Sequence, residues 1–169
     1  MVWTMLRRAA AALCALTLAT AIATAAAAQP AERILIYKAE HKLVVVAQGR
    51  AYRTYRVALG KTPRGAKLCR GDNRTPEGAY FVTRRMPGSH YYMALHLSYP
   101  NPDDVVRATD SGCEPGGDIE IHGLTEGFGW VGERHLEHDW TNGCIAVTNR
   151  EIAELYHMVA VGTPVEIYP

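Results

Sequence analysis

Past residue 28, apolar positions fall in short runs with a period near two, broken by polar or glycine turns. Arg33 to Lys38, Lys42 to Gln48 and Tyr52 to Leu59 each read as a strand rich in Val, Ile, Leu and Tyr. The intervening AEH and GR are short enough for hairpin turns, so the opening predicts a β meander. Along the third run Tyr52 and Thr54 alternate with Arg53 and its neighbours, as in a strand with one wet face. A loop with prolines and glycines follows from Gly60 to Gly78, where TPEG is turn chemistry, and a strand resumes from Ala79 to Thr83. Tyr91 to Ser98 is the next strand, with Tyr92, Ala94 and His96 on one face, and Pro164 to Tyr168 the last.

The period lengthens in two places. Pro102 to Asp110 is a short helix with Asn101 as cap and Pro102 at the first helical position, where a missing N–H costs nothing. Thr148 and Glu151 form a capping box, after which Ile152, Leu155, Tyr156 and Val159 recur at helical spacing. The pattern is that of one mainly β domain, 29–169, long enough to bury its own core.

Residues 1–28 differ. Arg7 and Arg8 precede an alanine and leucine run that ends in Ala26, Ala27 and Ala28, the charged, apolar and small-residue parts of a secretory signal. Cleavage after Ala28 is expected; the competing expectation is an uncleaved anchor helix, for which the run is weakly apolar. Cys14 lies inside this leader, and the residues before it do not resemble a lipidation site. The mature chain is thus expected outside the inner membrane, in the periplasm or envelope, with no stable membrane association.

The net charge of +1, with acids and bases nearly balanced, gives no basic field for nucleic acid. The cysteines say more. Cys69, Cys113 and Cys144 remain after the leader, an odd number that in an exported protein points to one bridge and one free thiol. Cys69 and Cys113, both in loop segments, are the natural pair; two unpaired surface thiols is the alternative, because sequence does not give Cα spacing.

That leaves Cys144. A lone cysteine is most often an inert small hydrophobe. Here it follows Gly143 at the mouth of the apolar run IAV, downstream of GGDIEIHG, a glycine turn and short strand ending in His122. A thiol attacking a carbonyl needs a base, and His122 is the candidate. The Gly123 carbonyl is approachable by the second imidazole nitrogen and would fix the tautomer. The N–H groups of Gly143 and Cys144 are candidate oxyanion donors, and Thr141 and Asn142 candidate substrate contacts. This chemistry calls for no cofactor.

In these residues the chain resembles the L,D-transpeptidase catalytic domain (YkuD type), marked by a strand histidine, a spacer, then Ser or Thr, often His, Gly and Cys. His122 supplies the first, and Thr141, Asn142, Gly143 and Cys144 the last, 22 positions on (144 − 122). GDNRTPEGAYFV from Gly71 and LGKTPRG from Leu59 resemble the preceding family segments. Two positions depart: Asn142 replaces the usual histidine, and Ala146 stands where a polar residue, frequently Asn or Arg, is common. The resemblance implies a curved β-sandwich or open barrel with one or two short helices. It also implies acyl transfer on peptidoglycan stem peptides through a Cys144 thioester, forming cross-links or attaching a protein to the wall. A hydrolase that releases cross-links uses the same residues, and a wall-binding module that has lost the reaction is the non-enzymatic alternative.

Other residues carry competing readings. His135 and His138, with Glu133, Asp139 and Cys144 nearby, invite a metal site, but GWVGERHLEHDW reads as a charged loop over the cleft and no metal is expected. Trp130 and Trp140 wall a groove or pack the loop down. His96 lines the cleft or is satisfied by a neighbour. Arg84, Arg85 and Arg107 could clamp carboxylates but read equally as solvated surface.

Overall fold

The structure is a computed structural model that describes residues 29–88 and 90–169; the expected leader, with Cys14, lies outside them. Eight strands form one curled, half-barrel sheet: β1 (Arg33–Tyr37), β2 (Lys42–Ala47), β3 (Arg50–Arg56), β4 (Gly78–Pro87), β5 (Met93–Leu97), β6 (Glu120–His122), β7 (Ile145–Ala146) and β8 (Pro164–Tyr168). Their order across the sheet is β3-β2-β1-β8-β4-β5-β6-β7. The expected opening meander is β3-β2-β1, paired antiparallel, and β8 adds parallel to β1.

β4 makes the curl. Its first residues pair with β8 and its later ones with β5, with an irregularity in register between Val82 and Arg84. A bulge of this kind bends and twists a strand, and one long strand therefore serves both halves of the sheet.

Helix α1 (Pro102–Asp110) carries the expected cap: Asn101 Oδ1 accepts from Asp104 N, and Asp104 returns the bond to Asn101 N. Helix α2 (Asn149–Met158) starts from the Thr148–Glu151 capping box. Its buried Ile152, Leu155 and Met158 join the core inside the curl, with Ile34, Leu43, Val82, Leu95, Ile121 and Ile145. A third helical piece, of the tighter 3₁₀ kind, runs over Gly129–Glu137 with a break at Gly132, where the sequence reads as a loop.

The third predicted strand ends early. β3 stops at Arg56, and the chain leaves β2 to meet the opposite end of the sheet. Ala58 and Ala146 exchange both backbone hydrogen bonds, Thr141 N donates to Leu59 O, and Lys61 N to Thr141 O. The two ends of the sheet are thereby brought together at a seam. Residues 141–146 hang on that seam.

Candidate active site

β6 lies between β5 and β7, with His122 opposite Ala94 on one side and Ala146 on the other. Cys144 stands just ahead of β7, two residues before the Ala146 that pairs with His122. The parallel pairing of β6 with β7 sets the residue pair His122 and Ala146 side by side, with Cys144 leading into β7.

The loop that presents Cys144 is held from within. Thr141 Oγ1 donates to Cys144 O at 2.7 Å and accepts from Gly143 N at 3.1 Å. Gly143 has φ +134°, and a Cβ there would sit 2.7 Å from Arg74 O, so no larger residue fits without moving the backbone. Cys144 Sγ donates to Asp118 O at 3.4 Å.

His122 is fully buried. Its Nδ1 lies 2.6 Å from Gly123 O; a carbonyl only accepts, so Nδ1 carries the proton and Nε2 the lone pair. Nε2 is buried and has no hydrogen-bond partner. Tyr91 stacks on the ring with centroids 3.6 Å apart, and Trp140 meets it edge-on at 5.8 Å. Gly123 also lets α2 approach: a Cβ there would fall 2.6 Å from Asn149 Oδ1, the atom that accepts from Leu124 N.

Burial dominates the electrostatics. It pushes the Cys144 thiol up to about 11 and the His122 imidazole down to about 4, the latter only partly offset by the Gly123 carbonyl. Near neutral pH the pair therefore rests uncharged, with the proton on sulfur and the lone pair on Nε2. Burial, the nearby Cys144 and Glu120 likewise raise the Tyr91 phenol. Cys144 and His122 in these states hold no standing thiolate.

A groove of about 310 Å³ opens beside the sulfur, lined by Arg70, Gly116, Asp118, Asn142 and others. Its walls are two loops tied by a Cys69–Cys113 disulfide with Cα atoms 5.7 Å apart, and Arg70 N donates to Glu114 O across the same junction. Asp72 braces one wall, taking the N–H groups of Leu68, Cys69 and Arg74 and the Lys67 ammonium. Burial raises its pKa, but those donors outweigh it and hold the carboxyl below its usual range. A larger hollow of about 660 Å³ lies between β3 and α2, lined by Tyr52, Tyr55, Arg150 and Glu154, away from Cys144.

Several expectations change here. Thr141 is buried and spends its hydroxyl on its own loop. The Gly143 N–H donates to that hydroxyl. Gly123 acts through its carbonyl alone, its N–H donating to Met93 O. Asn142 is exposed in the groove, where its Oδ1 accepts from Lys61 Nζ at 3.0 Å. His96 is held between Thr83 Oγ1, at 2.7 Å, and Asp118. His135 and His138 do not converge: the His135 nitrogens are buried, and His138 lines a separate hollow with His41 and Asp139. Among the described residues no group of three or more His, Cys, Asp or Glu side chains could hold a metal ion, and no helix is long and apolar enough to cross a membrane.

Three contributors escaped the sequence reading. Tyr91 precedes β5 and looked like another strand residue. Asp118 has positive φ, which its Gly-Gly-Asp context hints at, and offers its carbonyl to the thiol. Leu136 packs on Ala58, Ala146 and Trp140. The small side chain at 146 thus makes room for Leu136, and the Gly129–Glu137 segment docks over the imidazole side.

Comparison with known proteins agrees with this geometry. YqjB of Bacillus subtilis, named for the L,D-transpeptidase family, is 30% identical over 135 residues, covering 79% of this chain and 69% of its own length. YafK of Escherichia coli, named likewise, is 30% identical over 149 residues, 80% of this chain and 53% of its own. Among solved structures, the helical cell shape determining protein Pgp2 of Campylobacter jejuni superposes with a TM-score of 0.63 at 27% identity, covering 82% of this chain and 48% of that one. The chain thus spans about half the length of YafK and Pgp2. Residues 31–167 match the family of the L,D-transpeptidase catalytic domain, and the chain belongs to that family.

Proposed function

We propose that this chain is an exported cysteine acyltransferase that acts on peptidoglycan stem peptides. The observation that carries the reading is the His122 Nε2 lone pair, buried and partnerless, on the strand that pairs with β7, into which Cys144 leads. A lone pair left unmatched in an interior is costly unless something is meant to fill it, and a thiol turning away from Asp118 O fills it.

In this reading the Cys144 thiol gives its proton to His122 Nε2 as sulfur attacks the carbonyl of the third stem residue. The Cys144 N–H supports the oxyanion. The terminal D-alanine leaves with the proton held by His122, and a thioester remains. The amine of a second stem, or the lysine of a protein destined for the wall, resolves it. Hydrolysis of the same thioester is the second reading, favoured by the cover that the Gly129–Glu137 segment places on the imidazole side. The likeness to a cell-shape determinant supports a role in wall architecture, and the expected leader supports an envelope location.

Incubation of the mature chain with a carbapenem, followed by intact-mass measurement, tests the nucleophile. A mass gain that disappears in Cys144→Ala is expected; no gain in the unaltered chain refutes the reading. Purified muropeptides, scored for new cross-links against shortened stems, separate transferase from hydrolase.

A further inference from the structure

β3 ends the sheet, and among the described residues no strand pairs with its outer edge from Arg50 to Arg56. The far side of β7 differs, because Ala58 bridges to Ala146 there. Beyond the ladder with β2, one backbone group of β3 has a partner among the described residues: Tyr52 O accepts from Arg53 Nη1 at 3.1 Å. An open strand edge presents a row of N–H and C=O groups and takes up another extended chain. Beside this edge lies the hollow of about 660 Å³, walled by Tyr52 to Tyr55 of β3 and by Arg150, Glu154 and His157 of α2. A peptide laid along β3 projects its side chains alternately to the two faces, and one set meets that hollow.

Charge selects the occupant. β3 reads RAYRTYR, with three arginines, all exposed, and no acid. Among the described residues none of the three is in an ion pair. Arg53, which lines the hollow, lies over the Tyr52 ring at 4.2 Å. The two carboxylates of the hollow are already engaged: Glu151 closes the capping box with Thr148, and Glu154 accepts from the Tyr55 hydroxyl at 2.9 Å and pairs with Arg150 at 3.5 Å. A carboxylate arriving from outside therefore meets an uncompensated guanidinium. A second copy of β3 is the wrong occupant. An antiparallel pair centred on Arg53 sets Arg53 against Arg53 and Arg50 against Arg56, and like charges directly opposite repel. The charges that keep two copies apart favour an acidic strand. We propose that the outer edge of β3 and the hollow beside it dock an extended acidic segment of a partner protein by strand addition. The hollow shares no lining residue with the groove beside Cys144. Docking there holds the chain beside its partner without entering the chemistry, and it stands whether or not the acyl-transfer reading does.

The test uses the mature chain and a synthetic probe, a dye-labelled peptide of about ten residues that alternates Glu with Val and Thr, long enough to span β3. Three counterparts accompany it: the peptide with Lys in place of Glu, the acidic peptide N-methylated throughout, which keeps the charge and removes the backbone donors, and inorganic polyphosphate. Fluorescence anisotropy is expected to show saturable binding of the acidic peptide, weakened by salt and about ten-fold or more tighter than that of either altered peptide. Amide hydrogen exchange is expected to slow over 50–56 when it binds. Arg53→Glu and Arg150→Glu, on the two walls of the hollow, are each expected to weaken binding about ten-fold and to leave carbapenem adduct formation within about two-fold of the unaltered chain. Arg53→Lys, which keeps the charge, is expected to retain most of the affinity. No saturable binding, equal binding of the N-methylated peptide, or unchanged affinity in both glutamate variants overturns the proposal. Polyphosphate bound as tightly as the acidic peptide reassigns the surface to a polyanion, and self-association of the chain alone with protection over 50–56 reassigns it to a second copy; either result overturns the proposal as well.

Discussion

The two flanks of the Cys144–His122 pair are built from different materials. On the sulfur side the groove wall is polar and fastened: a disulfide joins its loops, and Asp72 gathers three backbone N–H groups and a lysine. On the imidazole side the Gly129–Glu137 segment contributes one buried residue, Leu136, set against two alanines and an indole. Fastening by covalent and charge-assisted bonds fixes a shape, whereas a single apolar contact holds a segment that can be displaced.

The largest effect should come from cutting through both flanks at their meeting point. His122→Gln is expected to slow acylation about a thousand-fold, measured as the rate of carbapenem adduct formation, because it removes the base and leaves the thiol. Breaking the fastened flank comes next. Cys69→Ser with Cys113→Ser is expected to lower unfolding free energy by about 2–4 kcal/mol in denaturant titration, with weaker donor binding. Leu136→Ala, which breaks the other flank, is expected to cost about 2 kcal/mol or less, since the segment is free to relax. Its signature is local: hydrogen exchange quickens over 129–137 while the global midpoint barely moves. If both variants behave alike, the contrast between the flanks is wrong.

Acidity sharpens the contrast with the smallest perturbation. His122 is held down to about 4 by burial, against 6.5 for an exposed imidazole. As pH falls from 6.5 to 4 the unfolded chain binds a proton that the folded chain refuses, so stability declines across that window and levels off below it. Acylation follows a different limb. It needs the Nε2 lone pair in the folded state, so its rate is expected to hold until near pH 4 and then fall. A rate profile breaking near 6.5 would show that the imidazole is not buried as described.

Much of this was written in local pattern. The strands of the opening meander, both helix caps and the order His122 then Cys144 depend on neighbours within a few residues, where period and turn chemistry speak directly. What escaped depends on distant partners. The run to Leu59 looks like one strand, yet Ala58 leaves its hairpin to pair with Ala146. Thr141 looks like a groove residue until its hydroxyl turns onto Gly143 and Cys144. Ala146 looked like a lost contact, and only the packing of Leu136 supplies the reason for its size. GWVGERHLEHDW, read as charged surface, buries Leu136 and the His135 nitrogens because its polar letters face outward around a few inward ones.

The seam between Ala58 and Ala146 joins residues 88 positions apart (146 − 58). Contacts that distant along a chain form late, after nearer pairings have prepaid the loop entropy. A half-folded chain therefore has the cysteine and the histidine but not their common setting, which arrives with the last closure of the sheet.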